Sequence, residues 1–403
     1  MKKTIILITI LLSINTAKAQ WNILTTGTNS NFYGISFIHS QKGTAVGYNS
    51  TSNTADVIHT TDGGNSWTHP TLPTGLSTLN SIRYKDANEG WIAGDNGYLL
   101  HTTNSGQSWD TISRFTREDL KCISVTGSLI MTGSHEGNVF ISSDNGLNWD
   151  TASTGSVLPI NALSYRADST FWAVGDGGFL AFSADTGRTW TTVNQPYYGF
   201  FNGNGIAFFD TSAVAVGDFG FSVHSSGALT SWSMLPTSTN QHLNGITSGN
   251  ARSVIICGDQ GVILRSENGG QGWLNETLPS LNEDLHDISY AGDTTAFICG
   301  SNGRILKSVN DISSVQLSSV VSSVEIYPNP FEHELYIQTT FSNETHAVLM
   351  LNDLQGKMLL KENCVFTAGQ QTILRDFAMI PAGVYILTIA TSDSAIHKKI
   401  IRN

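Results

Sequence analysis

An eight-residue phrase that ends in tryptophan recurs along this chain about every 41 residues, and this repeat constrains the fold more than any other feature. The tryptophans stand at positions 67, 109, 149, 190, 232 and 273. The clearest copies read TTDGGNSW at 60–67, TTNSGQSW at 102–109, SSDNGLNW at 142–149, SADTGRTW at 183–190 and SENGGQGW at 266–273. A fixed period of this length predicts repeated structural units, each of which buries its faces against its neighbours.

Two other phrases keep the same period. Five units contain a short apolar run and two glycines three residues apart, as at Gly94 and Gly97; the pair Gly133 and Gly137 is one residue longer, and Gly47 opens a lengthened first copy. A second short run precedes it, such as GISF at 34–37 or DISY at 287–290, and seven copies of this run occur. The alternation and the β-branched content predict strands. Four strands per unit predict an all-β fold, a seven-bladed β-propeller over residues 20–308, with an open solenoid as the alternative.

The start of the repeat region suggests how the ring closes. The segment WNILTTG at 21–27 resembles the residues that follow each repeat tryptophan, such as WDTASTG at 149–155. The seventh copy, from Ser308, has no tryptophan at its end. We therefore expect the N-terminal segment to supply the outer strand of the last blade and so to hide an exposed sheet edge.

Both ends of the chain depart from the repeat. Residues 1–19 combine Lys2 and Lys3 with an apolar run and the cleavage signal AKA, which predicts a secretory signal peptide rather than a buried strand. Residues 309–323 form a Ser/Val-rich linker. Residues 324–403 alternate short strands and turns, which predicts a small immunoglobulin-like β-sandwich, with carbohydrate binding as an alternative role. No later run is long enough to predict a transmembrane segment.

Composition excludes several functions. The net charge is −11 and Lys and Arg do not cluster, so we expect no nucleic-acid binding. The sequence has no metal-ligand spacing, phosphate loop or nucleophile elbow, so we expect no metal, no cofactor and no catalytic residues of those kinds. The cysteines show no disulfide framework and are expected to be buried free thiols: Cys122, Cys257, Cys299 and Cys364.

One face of the predicted ring is the candidate binding surface. In an up-and-down blade, the turn after the second strand and the connection between blades lie on the same face. Acidic residues recur in these turns, and we expect them to form an arc that binds a cation or a basic partner: Asp95, Glu136, Asp176, Asp218 and Asp259. The alternative is that aspartate simply suits tight turns.

A connection rich in aromatic residues belongs to the same face. It reads TTVNQPYYGFF at 191–201. Exposed aromatic clusters mark interaction sites, so Tyr197 and Tyr198 are predicted ligand contacts. Phe200 and Phe201 have the alternative role of starting the next inner strand and packing in the core.

The tryptophan phrase resembles the Asp box of sialidases and sortilin-like propellers. The fuller unit, over residues 21 to about 310, is similar to the photosystem II assembly factor family. We expect the box residues to be structural, because the Asp or Asn oxygen can cap backbone N–H groups of the turn, the Gly permits its backbone conformation and the Trp packs on the blade. Sialidases need three converging arginines, and the arginines here do not recur at one blade position. A non-catalytic binding or scaffold propeller is therefore the leading prediction. A glycan-active hydrolase is the alternative, because some glucan-cleaving enzymes use Asp-box propellers.

The tail resembles the type A sorting domain of the Por, or type IX, secretion system. The resemblance rests on YPNP at 327–330, DLQGK at 353–357, PAGVYI at 381–386 and KKIIR at 398–402. It implies a sorting motif that comprises Pro328, Asn329, Pro330, Gly356, Gly383 and Tyr385. It also implies the type IX machinery as a partner, and export through the periplasm to the surface or medium of a Bacteroidetes-like bacterium. The propeller's own ligand is left as an unknown protein or glycan.

Overall fold

The computed structural model describes residues 20–402 except 113, 167, 194–200, 210, 228, 230, 250–252, 292–294, 310–320, 342–344, 354–357, 368, 378–379 and 392–394. Contacts divide the chain into two compact units, residues 1–313 and 314–403. Within the described residues, no helix has the length and apolarity needed to cross a membrane.

Seven antiparallel sheets form the first unit, and the first strand of each lies beside the first strand of the next. Blade 1 contains β2 (Asn31–His39), β3 (Lys42–Asn49) and β4 (Thr54–Thr60), and blade 2 contains β5 (Leu79–Tyr84), β6 (Gly90–Gly94), β7 (Leu99–Thr102) and β8 (Asp110–Thr111). Blade 3 contains β9 (Leu120–Thr126), β10 (Leu129–Ser134), β11 (Asn138–Ser142) and β12 (Asp150–Ser153). Blade 4 contains β13 (Ile160–Tyr165), β14 (Phe171–Gly175), β15 (Phe179–Ser183) and β16 (Thr191–Thr192).

Blades 5 to 7 contain β17 (Gly203–Phe209), β18 (Ser212–Gly217), β19 (Ser222–Ser225) and β20 (Ser233–Met234); β21 (Leu243–Ser248), β22 (Val254–Gly258), β23 (Ile263–Ser266) and β24 (Leu274–Asn275); and β25 (Leu285–Tyr290), β26 (Ala296–Gly300), β27 (Ile305–Val309) and β1 (Gln20–Leu24). Second strands such as β6, β14, β22 and β26 are buried along their whole length, because each blade packs between two others. Their unbroken apolar runs follow from this burial on both faces.

The ring closes between blades 7 and 1. Strand β25 contacts β2, and the rings of Phe37 and Phe297 stack 3.5 Å apart in a core that both blades share. Strand β1 pairs with β27, from Gln20 opposite Val309 to Leu24 opposite Ile305. The predicted closure by the N-terminal segment is confirmed, and the open solenoid is excluded.

A buried polar network fastens the closing strand to blade 6. Trp21 is 3% exposed, and its indole nitrogen donates a hydrogen bond to Glu276 Oε2 at 3.0 Å. The other oxygen of Glu276 accepts a hydrogen bond from Arg265 Nε at 2.8 Å, and both side chains are buried. Removing one partner of such a pair leaves an uncompensated charge in the interior and strongly destabilises the fold. The network therefore stabilises the contact between β1 and blade 6.

Blade 1 has three strands among the described residues, where four were expected. Thr68 exchanges two backbone hydrogen bonds with His59 of β4, but the pairing stops there. Pro70 follows two residues later and has no N–H to donate. Thr71 pairs instead with Ser108 of blade 2.

The Asp box caps its own turn. Gly64 N–H donates to Thr60 Oγ1 at 2.9 Å, and Ser66 N–H donates to Asp62 Oδ1 at 2.9 Å. The second bond recurs in the other boxes at Asn104, Asp144, Asp185 and Asn268. Because Asn and Asp make the same bond, its acceptor is the side-chain oxygen and the charge is not required.

The three box aspartates give a pH-dependent contribution to stability. Hydrogen bonds from the residue four places on, Ser66, Asn148 and Thr189, hold the pKa of Asp62, Asp144 and Asp185 at about 2, below the ordinary 3.8. A lowered folded-state pKa stabilises the fold above about pH 4, and the contribution is lost as the pH falls towards 2.

We therefore expect the Asp62→Asn, Asp144→Asn and Asp185→Asn triple variant to unfold at nearly the wild-type temperature at pH 7. Its melting temperature should fall less than that of wild type between pH 4 and pH 2, because the capping oxygens no longer titrate. Calorimetry across this range measures the difference. Parallel curves for the two proteins would contradict the capping account.

The second unit contains two sheets around one core. Its strands are β28 (Val321–Tyr327), β29 (Glu334–Phe341), β30 (Thr345–Asp353), β31 (Met358–Phe366), β32 (Gly369–Asp376), β33 (Gly383–Thr391) and β34 (Ala395–Arg402). The sheet orders are β28-β29-β32 and β31-β30-β33-β34, and Leu335, Leu349 and Leu387 meet in the core. The seven expected strands are present. The immunoglobulin-like assignment stays a prediction.

The four cysteines are free thiols, as expected, but the expected burial is wrong for one of them. Cys122, Cys257 and Cys299 are buried, whereas Cys364 of β31 is half-buried and receives a contact from Arg375 Nη2 at 3.8 Å. Burial raises the pKa of the Cys122 thiol to about 12, so this sulfur is held neutral and unreactive.

Candidate functional site

The turns between second and third strands lie beside the connections that enter each blade. The N–H of Asp95 donates to Thr78 O at 2.9 Å, and that of Asp259 donates to His242 O at 2.9 Å. Turns and connections therefore share one face of the ring, as predicted. This face is called the upper face.

Five of these turns have a common shape. The first residue is Asp or Ser, the third is Gly, and the middle residue has a left-handed backbone conformation: Asn96 (φ 58°), Gly177 (67°), Phe219 (55°), Gln260 (54°) and Asn302 (56°). The final glycine is required where the next connection approaches. A Cβ at Gly220 would lie 1.9 Å from Thr239 O, closer than any side chain permits.

Asparagines in the first strands link these turns to the neighbouring blades. Each Nδ2 donates both to the aspartate of its own blade and to a carbonyl of the next first strand: Asn80 to Asp95 (2.7 Å) and Leu120 (2.9 Å), Asn161 to Asp176 (2.8 Å) and Gly203 (3.0 Å), Asn204 to Asp218 (3.1 Å) and Leu243 (3.1 Å), and Asn244 to Asp259 (2.8 Å) and Leu285 (2.9 Å). The four links hold successive blades in register.

The predicted aspartates are therefore half-buried structural acceptors on four separate blades. In the described part of the chain, no group of three or more His, Cys, Asp or Glu side chains could hold a metal ion. The arc does not converge on one cation, and ligand contact by these carboxylates stays a prediction. Sequence reasoning missed the linking asparagines, although each precedes its aspartate by 14 or 15 residues.

The aromatic connection is described only in part. Tyr197, Tyr198 and Phe200 lie outside the described residues, so their predicted roles stay predictions. Phe201 stacks on Phe221 with ring centroids 4.8 Å apart and packs against the core between blades 4 and 5. Phe201 thus packs against the core as the alternative predicted, but it is only partly buried and precedes β17, which begins at Gly203.

A polar cavity of about 400 Å³ lies among the first strands. Two cations that sequence reasoning missed line it, Arg83 and Lys121, together with Tyr33 and His286. Arg83 is the one large residue at its position when the seven repeats are aligned. The six equivalent positions carry a small residue: Ser36, Ser124, Ser164, Ala207, Thr247 and Ser289.

An ion pair crosses this cavity. Arg83 Nη1 lies 3.6 Å from Asp287 Oδ2, and the same oxygen accepts a hydrogen bond from Ile35 N–H at 3.0 Å. Burial raises the pKa of Asp287, and the charge of Arg83 opposes that shift. Among the described residues that line the cavity, Asp287 is the one carboxylate. A glycosidase needs two carboxylates roughly 5 to 9.5 Å apart, and the described lining does not supply that pair.

The tail motifs bind one another. Asn329 Nδ2 donates to Lys399 O at 3.0 Å, and Ile401 N–H donates to Asn329 Oδ1 at 2.8 Å. Tyr385 is buried, and its hydroxyl donates to Pro381 O at 2.6 Å. Pro328 and Pro330 flank Asn329, and Gly383 begins β33. Gly356 lies outside the described residues.

These features define the chain as an Asp-box β-propeller with an appended β domain. The family described as photosynthesis system II assembly factor YCF48 matches residues 13–157, and the secretion system C-terminal sorting domain matches residues 325–403. The chain thus carries a YCF48-like propeller followed by a sorting domain. This tail marks it for export by the type IX system to the cell surface or medium.

Sequence relatives and solved structures show the same similarity to YCF48 propellers. The photosystem II assembly lipoprotein Ycf48 of Synechococcus sp. (strain CC9902) is 25% identical over 185 residues, 44% of this chain and 54% of that relative, so this chain spans about half of its length. YCF48 bound to D1 peptide has a TM-score of 0.62 at 23% identity, over 72% of this chain and 97% of that one.

PorZ, an essential bacterial surface component of the type IX secretion system of Porphyromonas gingivalis, has a TM-score of 0.57 at 14% identity. The match covers 94% of this chain and 60% of PorZ. At these identities the solved structures show a shared fold alone.

Proposed function

We propose that this chain is an exported binding or scaffold propeller that uses its upper face to hold a protein ligand. The observation that carries the proposal is the upper face itself. Its turns are locked by the asparagine links, so the residues at their tips are presented on a rigid base. The YCF48 propeller that holds the D1 peptide supports a peptide segment as the ligand class.

The delivery route belongs to the same proposal. Residues 1–19 are a signal peptide, the propeller extends from Gln20 to the end of β27 at Val309, and a linker leads to the sorting domain, which begins with β28 at Val321, in a bacterium of the Bacteroidetes type. Export across two membranes places the mature propeller where it meets surface or extracellular partners.

A pull-down with the mature propeller, paired with a glycan array, tests this function. Saturable binding without turnover supports a binding or scaffold role. Hydrolysis of an arrayed glycan, lost on changing one upper-face carboxylate, would support the glycan-active hydrolase and overturn the proposal.

Tyr197 and Tyr198 are the proposed contacts for the captured partner. Changing both to Ala should weaken its binding by roughly 1 to 4 kcal/mol, because buried tyrosines often dominate interface energy. Titration calorimetry with the partner from the pull-down measures the change. Tyr165→Ala is the control, because Tyr165 is an exposed tyrosine at the C-terminal end of β13, away from the upper face. Unchanged affinity in the double variant, or its unfolding, would remove this site.

A further inference from the structure

One upper-face turn presents a residue that its backbone disfavours. All five middle positions adopt the left-handed conformation, and four carry Asn, Gly or Gln, whereas blade 5 carries Phe219. The left-handed region crowds the Cβ of an L-residue against a carbonyl oxygen, so Gly and Asn occupy it most readily. Such strained positions concentrate at functional sites.

Packing does not compensate for this strain. The Phe219 side chain is 62% exposed. Its ring lies against that of His242, with centroids 4.7 Å apart and planes tilted by 47°. A ring that stays in water gains little hydrophobic stabilisation, so the fold itself gives no reason to prefer Phe at this turn.

Two more apolar side chains are exposed in the connection beside the neighbouring turn. Val157 is 86% and Leu158 46% exposed. Leu158 Cδ1 lies 3.0 Å from the place where a Cβ of Gly177, the middle residue of the blade 4 turn, would stand. Adjacent blades thus both expose apolar groups at their turns, as interaction surfaces do.

Carboxylates surround His242, the residue whose ring contacts Phe219. His242 Nδ1 lies 2.8 Å from Asp218 Oδ1. That hydrogen bond, opposed by partial burial and helped by the charges of Asp218, Asp259 and Asp284, raises the pKa of His242. Three carboxylates therefore act on His242 beside the Phe219 ring, and they outnumber the single positive charge that a protonated His242 carries.

We infer that Phe219, Val157 and Leu158, with Asp218 and Asp259 beside them, form a docking surface for a basic, extended peptide segment of a protein partner. A lysine or arginine side chain of the segment lays its methylenes on Phe219, and its charge is attracted by the ring face and the carboxylates. Apolar residues of the segment contact Val157 and Leu158. This inference rests on the proposed binding function and specifies the chemistry of the ligand.

The test uses the mature protein and a labelled dodecapeptide of alternating Lys and Val, followed by fluorescence anisotropy. Wild type should bind it saturably, whereas the peptide with Glu in place of Lys should not bind. Phe219→Gly should weaken binding roughly tenfold or more and raise the melting temperature, because the strain is released. Gln260→Gly is the matched control. It changes the equivalent turn of blade 6 and should leave affinity unchanged.

The charge arm uses Asp259→Asn with Asp284→Asn, which keep their acceptor oxygens for Asn244 and for Gln260 N–H. This variant should bind more weakly and with less dependence on salt. Equal affinity of wild type and Phe219→Gly, or no binding of the lysine peptide by wild type, overturns the inference. If the pull-down captures other partners and Phe219→Gly binds them as tightly as wild type, the proposed binding function holds and the docking inference is wrong. If no partner binds saturably, both the binding function and the docking inference are wrong.

Discussion

A chain that begins at Asn31 is expected to lose most of its folding stability. It lacks β1, so the outer edge of blade 7 is open and Trp21 is gone from the interface with blade 6. The Trp21→Ala change alone should cost about 3 to 5 kcal/mol, the range for truncating a buried tryptophan. Domains have only about 5 to 15 kcal/mol in total, so the truncated ring should unfold at much lower denaturant or temperature.

Urea denaturation followed by tryptophan fluorescence measures this loss. Trp21→Phe is the informative partner variant, because it keeps one aromatic ring in the core while it removes the donor to Glu276 Oε2 and the remaining volume of the indole. We expect its loss to be much smaller than that of Trp21→Ala. Glu276→Ala should be as damaging as Trp21→Ala, since it strands the charge of Arg265 in the interior. An unchanged melting temperature for the chain that starts at Asn31 would reject the closure account.

Removal of residues 324–403 is expected to abolish secretion and to trap the folded propeller in the periplasm. The sorting domain is a separate compact unit, so its loss should not unfold the blades. Intact-mass analysis of periplasm and medium from a type IX-competent host measures the distribution. Secreted wild-type material should begin at Gln20 and lack the region after about Ser323. Normal export of the shortened chain would contradict the sorting role.

Asn329→Ala gives a finer version of the same experiment. It removes both hydrogen bonds between the YPNP segment and β34, and should lower the stability of the tail and the secreted fraction together. Val365→Thr is the control, because Val365 is 57% exposed on β31. Export of Asn329→Ala at the wild-type level would show that recognition does not need this contact.

The propeller architecture was predictable from the sequence because the same strand and turn pattern recurs in seven copies. The Trp and Gly spacings placed the strands, and the likeness of 21–27 to the segments after each tryptophan gave the closure that β1 and β27 make. Blade 1 was mispredicted where Pro70 stops a fourth strand, since a local proline overrides the average of the repeat.

The candidate site was less predictable, because its contacts join residues of different blades. Asp95 looks like an ordinary turn residue until Asn80 is seen to bond both to it and to the next blade. The pairing of Arg83 with Asp287 spans more than 200 residues and three blades. The sequence shows a Phe at position 219, but only the structure shows that its backbone has the left-handed conformation that disfavours this residue.

The shared shape of the five upper turns also makes the propeller a natural display scaffold. The backbone at each tip is set by the flanking Asp or Ser and Gly residues, so exchanging the middle side chain changes the strain of its own turn but keeps the asparagine links between blades. New ligand specificity could arise by single substitutions at Asn96, Gly177, Phe219, Gln260 or Asn302, each presented in the same orientation relative to its own blade. An engineer could graft a five-residue epitope in the same way, with one residue on each of five blades.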